Sequence, residues 1–282
     1  MLTSLVLRLQ APRSVILPAS LGRASQALLL RLINSQDPDL AAALHAGDGP
    51  RPYTASNLVL GQRLKGSLHA EAGQTGWLRF TGLNAAVSVC LVRLANQPPA
   101  EVELDRFSLT VTGATLDPTG HPWAGQVSYQ DLAGRYLLSG QSIASQITLD
   151  FTSPTTFRSQ GRYLPLPSPE LVFGSLLDRW QTFAPIALNP AVRRFAAEAV
   201  GLSRYTLRTR GLPYKQGGKG AGGEEKAGAM QIGFTGQATF IALNRDRYWL
   251  SVLHLLANFA FYSGVGYQTA VGLGQVRHIS KL

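Results

Sequence analysis

The order of predicted secondary structure constrains the fold of this chain more than any other feature. Alternating apolar residues predict a strand at residues 5–9, and an apolar stripe at helical spacing predicts a helix at residues 20–33. Two strands, a second helix and a further strand follow in the first half, at residues 52–60, 75–81, 83–95 and 107–115. This strand–helix–strand–strand–helix–strand order is that of a ferredoxin-like fold.

The second half repeats this order less cleanly, with an additional short helix, after a crossing rich in proline and glycine, residues 117–125, and a predicted hairpin through Tyr136. Strands are predicted at residues 145–151, 205–210, 230–243 and 275–279, and helices at residues 169–183, 190–200 and 246–262. A length of 282 residues also suits about two domains. The sequence therefore predicts an α+β protein of two tandem ferredoxin-like (RRM-like) domains, residues 1–137 and 138–282.

A glycine-rich segment lies between the last predicted helix and the last predicted strand. Two Gly-X-Gly pairs bracket five residues there: Gly264 and Gly266, then Gly272 and Gly274. Glycine adopts positive φ and allows another backbone to approach closely. Two interpretations follow, a loop whose free amides hold an anion or a tight turn packed against a neighbour. The dinucleotide and nucleotide-triphosphate motifs do not fit, because the segment follows a helix and the chain lacks Gly-Lys-Ser/Thr.

The net charge of +10 favours a nucleic-acid phosphate as the anion, and 21 of the 26 basic residues are arginine. High-GC codon usage also raises the Arg/Lys ratio, so the ratio alone carries little weight. The predicted RNA-binding cations are Arg158, Arg193, Arg194, Arg204, Arg208 and Arg210. Even spacing places Arg204, Arg208 and Arg210 on one face of a strand. The alternative is a solvated basic face.

A second glycine-rich segment, residues 211–228, carries Lys215 and Lys219. Its composition is typical of a mobile loop. It is predicted either to close over a bound RNA strand, with both lysines as RNA-binding residues, or to be a solvated linker.

Several classes of protein are not expected. Cys90 lies alone in an apolar run, which predicts a buried thiol, no disulfide framework and a cytoplasmic location. The five histidines show no ligand spacing, so neither a metal nor a cofactor is expected. The N-terminus does not resemble a signal peptide, and the longest apolar run, residues 249–262, is too short to span a bilayer.

Several motifs together resemble one family. The segment from Phe259 to Gly274 is similar to the C-terminal glycine-rich signature of the CRISPR-associated repeat-processing endoribonucleases, members of the RAMP superfamily. Residues 153–158, 164–167, 175–180 and 233–236 resemble the central region of that family. Leu44 and His45, with residues 51–56 after them, resemble the N-terminal region where many members place a catalytic histidine. The family has two tandem ferredoxin-like domains.

The resemblance implies a metal-independent cut within the CRISPR repeat of a precursor transcript. The ribose 2′-OH attacks the scissile phosphate and leaves a 2′,3′-cyclic phosphate and a 5′-OH. This reaction needs a base, an acid and cations for the crowded phosphorane. His45 is predicted to be the acid or base, since imidazole exchanges a proton near neutrality, and Arg51 and Arg31 the cations. Tyr53 either contributes a phenol or packs in a strand, and Ser56 is expected to be structural.

The alternative is a non-catalytic RAMP subunit that binds guide RNA within a CRISPR effector complex. It would share the fold, the glycine segment and the positive surface. Repeat RNA is the expected partner, with effector-complex subunits and a second copy of the chain as further candidates. A membrane is not expected.

Overall fold

Two antiparallel sheets with the same strand order form the framework of the protein. The computed structural model describes residues 1–47, 49–64, 66–138, 143–213 and 230–279. The first half contains β1 (Leu2–Gln10), β2 (Val15–Pro18), α1 (Gly22–Asn34), α2 (Pro38–Ala46), β3 (Tyr53–Ala55), β4 (Val59–Leu60), β5 (Gln62–Leu64), β6 (Ser67–Ala70), β7 (Thr75–Gly82), α3 (Ala85–Asn96), β8 (Glu101–Leu104), β9 (Phe107–Thr115) and β10 (Gly125–Val127).

In the residues that the structure describes, the second half contains two long paired strands and four helices. Its elements are α4 (Tyr129–Ala133), a π-helical turn (Gly134–Leu138), β11 (Gln146–Thr155), β12 (Phe157–Ser159), β13 (Arg162–Leu164), α5 (Pro169–Phe183), α6 (Val192–Ala199), β14 (Val200–Pro213), β15 (Met230–Ala242), α7 (Arg247–Ser263), a 3-10 turn (Thr269–Val271) and β16 (Val276–Ile279).

The pairing of the strands gives each half the ferredoxin-like topology. The first sheet has the order β3-β7-β1-β9-β8, and the second has the order β14-β15-β11-β16. In the first sheet β1 lies between β7 and β9, and in the second sheet β11 lies between β15 and β16; these neighbours are all antiparallel. The prediction of two ferredoxin-like domains is confirmed.

Local signals place the helices close to the predicted ranges. Ser168 caps the start of α5 by accepting from the N–H of Leu171, and Pro169 occupies the first turn. Asp246 caps α7, which ends where Gly264 adopts φ 65°. Because these signals involve neighbouring residues, they can be recognised in the sequence.

Two local predictions are wrong. The hairpin predicted through Tyr136 is α4 followed by the π-helical turn, because Ser128 caps this helix through the N–H of Asp131. The single strand predicted at residues 52–60 is divided into β3 and β4. The three-stranded sheet β2-β6-β5 has no counterpart in the prediction.

Each half has its own core, and the two cores are joined. Leu2 and Leu83, from the first half, lie in the core that α5 and α7 cover. Tyr129 of α4 also packs in this second core although it precedes residue 137, so the domain boundary stays a prediction. Among the described residues, no helix combines the length and the hydropathy needed to cross a bilayer.

The two sheets differ in how their outer faces are covered. The segment between β9 and α4 crosses the outer face of the first sheet, where Ser4 donates to the Trp123 carbonyl at 2.5 Å and Arg8 donates to the Gly120 carbonyl at 2.6 Å. The outer face of the second sheet carries exposed polar side chains, among them Gln146, Arg204 and Gln237. In the part of the chain that the structure describes, the second of these faces is therefore the one open to a ligand.

Candidate functional site

His45 is exposed in the last turn of α2. Asp37 caps this helix by accepting from the N–H of Leu40 at 2.9 Å, while Ala41 and Leu44 face the core. The imidazole is therefore accessible to a bound ligand, as a proton-transfer group must be.

Arg51 lies at the same helix end as His45. Its Nη1 donates to the carbonyl of Leu44 at 2.6 Å. The same nitrogen lies so close to Gly47 that a Cβ added to this glycine would be 3.4 Å from it. A guanidinium has five N–H donors and cannot release a proton in a protein. Arg51 can therefore stabilise a phosphate beside His45 but cannot serve as the acid.

The structure does not bring the other two predicted catalytic residues to this helix end. Tyr53 is 1% exposed, and its hydroxyl accepts from Gln26 Nε2 at 3.0 Å. Of the two alternatives for Tyr53, strand packing is the one observed. Arg31 donates to the carbonyl of Glu103 at 2.6 Å, on β8, which is at the opposite edge of the sheet from β3. The side chain of Arg31 is therefore bound at that far edge, and its role as a catalytic cation stays a prediction.

Three of the predicted RNA-binding arginines lie together on β14. Arg204, Arg208 and Arg210 are exposed, and no register shift interrupts the pairing with β15 from Arg204 onward. They therefore share one face, while Leu207 on the other face packs against the second core. Around Arg204 is a depression of about 420 Å³, lined also by Gln146, Thr148, Ser203, Gln237, Thr239 and Ile279. Such donors and acceptors can contact RNA bases as well as phosphates.

The arginines at the start of α6 have different surroundings. Arg193 forms an ion pair with Asp178 at 2.5 Å and also donates to the carbonyl of Gly174 at 3.3 Å. Arg194 is 76% exposed, with Glu198 at 3.9 Å. Arg193 therefore joins α5 to α6, whereas Arg194 is more available to a ligand.

Arg158 belongs to a cluster of basic and aromatic side chains next to the glycine segment. Its guanidinium carbon lies 6.0 Å from the ring centroid of Tyr267, and the ring of Tyr163 lies 5.8 Å from the same ring. Aromatic and guanidinium planes of this kind can stack on bases. The predicted residues Lys215 and Lys219 lie outside the described residues.

The glycine segment, residues 264–274, has the predicted backbone conformation but not the predicted free amides. All four glycines have positive φ, between 65° and 90°. The N–H of Gly264 donates to Ala260, that of Gly266 to the Ser175 hydroxyl and that of Gly274 to Pro154. An anion cradle formed by these three amides is therefore wrong, and the alternative of a packed turn between helix and strand is observed.

A buried arginine that the sequence did not indicate joins the two halves. Arg79 is 3% exposed, and it donates to the Ser4 hydroxyl at 2.7 Å, the Trp123 carbonyl at 3.1 Å and the Phe261 carbonyl. Its guanidinium lies 4.9 and 4.4 Å from the ring centroids of Trp123 and Phe261. Burial lowers the pKa of Arg79 to about 9, so it stays charged at neutral pH. The alternation of β7 places it on the outer face but does not show that this face is covered.

The family becomes clear from comparison with known proteins. A model described as the CRISPR Cas6 N-terminal domain matches residues 1–134, and one described as CRISPR-associated endoribonuclease Cas6 matches residues 149–276. The chain belongs to the Cas6 family. The region that carries His45 lies within the first match, and the glycine segment lies within the second.

Curated Cas6 relatives match part of the chain. A CRISPR-associated endoribonuclease Cas6 of Mycobacterium tuberculosis is 29% identical over 130 residues, which are 46% of this chain and 37% of the relative. A Cas6 of Streptococcus thermophilus is 24% identical over 160 residues, 54% of this chain and 59% of the relative. In both cases the match covers less than two thirds of the relative's length.

Solved Cas6 structures match over nearly the whole chain. The product complex of Thermus thermophilus Cas6 (TTHB231) has a TM-score of 0.77 and 29% identity, and covers 99% of this chain and 100% of that chain. A substrate mimic complex of Cas6 (TTHA0078) has a TM-score of 0.69 and 27% identity, with 99% of each chain covered. A histidine-to-alanine variant of the latter Cas6 has also been solved.

Proposed function

We propose that this Cas6 protein is a metal-independent endoribonuclease that cleaves CRISPR precursor RNA within each repeat and releases guide RNAs. Family membership supports the activity, and two Cas6 proteins of the same fold, 27–29% identical to this chain, are solved with a product or a substrate mimic. The observation that carries the proposal is an exposed histidine and an arginine at one helix end, His45 and Arg51. We place the activity in the cytoplasm, where precursor transcripts are made.

The proposed reaction is an intramolecular transesterification. The 2′-oxygen forms a bond to phosphorus, the bond from phosphorus to the 5′-oxygen breaks, and the products are a 2′,3′-cyclic phosphate and a 5′-OH. One proton leaves the 2′-OH and one is added to the 5′-oxygen, so the RNA gains no atoms. His45 handles one of these two protons.

Arg51 supplies the positive charge that the reaction needs. The phosphorane carries more negative charge than the starting diester, and a fixed guanidinium stabilises the increase. The bond from Arg51 to the Leu44 carbonyl holds the guanidinium at the end of α2.

The RNA-binding surface that we propose has two parts. The first is the open face of the second sheet, with Arg204, Arg208 and Arg210, where phosphates would be neutralised. The second is the cluster of Arg158, Tyr163 and Tyr267, where bases would stack. Arg194 extends the positive surface, whereas Arg193 has its ion pair with Asp178.

The test is a cleavage assay with a cognate repeat RNA in EDTA. Wild type is compared with His45→Ala, and with His69→Ala as a matched control because His69 is a partly exposed histidine on β6. We expect one cut, a cyclic-phosphate end and a rate at least about a hundredfold lower for His45→Ala alone.

Three other results would contradict parts of the proposal. Salt-sensitive binding with no cut by wild type would indicate a non-catalytic subunit that holds guide RNA. Cleavage unaffected by His45→Ala would keep the nuclease and remove His45 from its mechanism. Loss of cleavage on adding EDTA would show that a metal is required.

A further inference from the structure

The glycine segment of the second domain lies directly against the start of α1 in the first domain. A Cβ on Gly22 would overlap the carbonyl oxygen of Val271, and a Cβ on Gly272 would lie 2.7 Å from Asn57 Nδ2. Ala270 packs against the core of the first domain. The two domains therefore meet here backbone to backbone, at a distance that only glycine permits.

Asn57 links three parts of this contact. Its Oδ1 accepts from the N–H of Leu21 at 2.9 Å, and its Nδ2 donates to the carbonyl of Gly272 at 3.2 Å. Leu21 stands at the N-cap of α1 and has no side chain that could cap the helix. Asn57 thus satisfies an N–H at the start of α1 that the helix itself cannot pair, as a capping side chain would, and connects it to the glycine segment.

The other end of the segment is fixed within the second domain. Arg179 is partly buried, and it donates to the carbonyls of Ser263 and Gly266 at 3.3 and 2.9 Å. The N–H groups of Gly274 and Tyr267 donate to the carbonyls of Pro154 and Thr156. The segment is therefore held at several points along its length.

We propose that the glycine segment is an interdomain bracket and that Asn57 is a positioning residue for cleavage. The bracket holds the start of α1 against the second domain. Because α1 packs against α2, it also fixes the position of His45 relative to RNA bound on the second domain. This inference rests on the proposed function, and it assigns the glycines a role in geometry rather than in phosphate binding.

Substitutions at Asn57 and Gly22 separate this role from simple packing. Asn57→Asp keeps the size of the side chain and the acceptor for Leu21 but places a carboxylate oxygen against the Gly272 carbonyl. Gly22→Ala pushes α1 away from Val271. Gly134→Ala is the matched control, because a Cβ there meets open space.

The experiment measures three quantities for each variant. Hydrogen exchange of peptides from α1 and α2 reports whether the bracket holds these helices. Single-turnover cleavage at saturating protein reports positioning, and the Kd for repeat RNA reports binding. We expect faster exchange, cleavage lower by roughly tenfold to a hundredfold and an unchanged Kd for Asn57→Asp and Gly22→Ala, with wild-type values for Gly134→Ala.

The outcomes are distinct. Unchanged exchange in α1 and α2 would overturn the bracket whether or not the protein cleaves RNA. Faster exchange with wild-type cleavage would overturn the positioning role. If Gly22→Ala does not fold, Asn57→Asp decides alone. If wild type binds RNA and does not cut, the proposed function and the positioning role fail together, while exchange still decides whether Asn57 holds α1.

Discussion

At the scale of single residues, Arg79 and Arg179 bind backbone carbonyls at and just beyond the end of α7. Arg79 is buried and Arg179 is partly buried. A guanidinium tolerates this environment because it is weakly hydrated and its planar face can lie on aromatic rings. Trp123 and Phe261 provide such rings for Arg79.

Two neighbouring histidines predict how stability depends on pH. His254 on α7 and His278 on β16 have ring centroids 5.4 Å apart, Tyr136 stacks on His254, and Asn258 Nδ2 donates to His278 Nδ1 at 3.1 Å. Burial, and then the neighbouring His254, lower the pKa of His278 to about 4. Between pH 6.5 and 4 the unfolded chain therefore binds a proton that the folded protein does not, so stability falls as the pH falls through this range.

We expect wild type to lose roughly 2 kcal/mol of unfolding free energy from this histidine between about pH 7 and pH 4.5. Urea titrations at several pH values measure the loss. It should be smaller in His278→Gln and undiminished in the control His69→Gln. An equal loss in wild type and His278→Gln would show that His278 does not carry the effect.

At the scale of secondary-structure elements, alternation along β14 separates the RNA-binding surface from the core. Leu207 packs inward, while Arg204, Arg208 and Arg210 are exposed on the opposite face. On α6 the consecutive arginines 193 and 194 point to different surroundings, and the first has the shorter ion pair. Equal charge in the sequence therefore does not mean equal availability to RNA.

The combined substitution of Arg204, Arg208 and Arg210 by Gln should weaken RNA binding and reduce its salt dependence. Each phosphate of single-stranded RNA that is no longer neutralised reduces the magnitude of the negative slope of log K against log salt by about 0.7. Binding is measured in the His45→Ala background at several salt concentrations. The control Arg193→Gln should keep the affinity and lose at most about 1 kcal/mol of stability. A larger effect on affinity from Arg193→Gln than from the triple substitution would refute this surface.

At the scale of the whole molecule, the two domains are joined through shared cores and through Arg79. Leu2 and Leu83 of the first half lie in the second core, and Thr81 donates to the carbonyl of Tyr262. The bonds from Arg79 reach β1, the segment before α4 and the end of α7. These contacts make the folding of one domain depend on the other.

We expect wild type to unfold in one calorimetric transition, with equal calorimetric and van't Hoff enthalpies. Arg79→Ala leaves the carbonyls of Trp123 and Phe261 without this donor, and it should cost about 2–4 kcal/mol and broaden or split the transition. Arg245→Ala is the control, because Arg245 is exposed just before α7. Two separate transitions in wild type would show that the domains fold independently.

The sequence by itself determined the order of the main elements and the repeated topology. These follow from local causes: apolar periodicity, capping residues such as Ser168 and Asp246, and a glycine at a positive φ. The resemblance to a family added the predicted function and the predicted role of His45. The helix α4 is found where a hairpin through Tyr136 is predicted, because Ser128 caps its first turn.

Only the tertiary structure decided which outward-facing side chains are covered by other segments and which predicted site residues lie close together. Alternation gives Arg79 and Arg208 the same outward direction, yet a segment 44 residues further along covers Arg79, and the face around Arg208 stays open. The hydrogen-bond partners of Arg31, of Tyr53 and of the amides of Gly266 and Gly274 likewise lie in other segments of the chain. A local pattern specifies the direction of a side chain, but the packing of distant segments determines what it contacts.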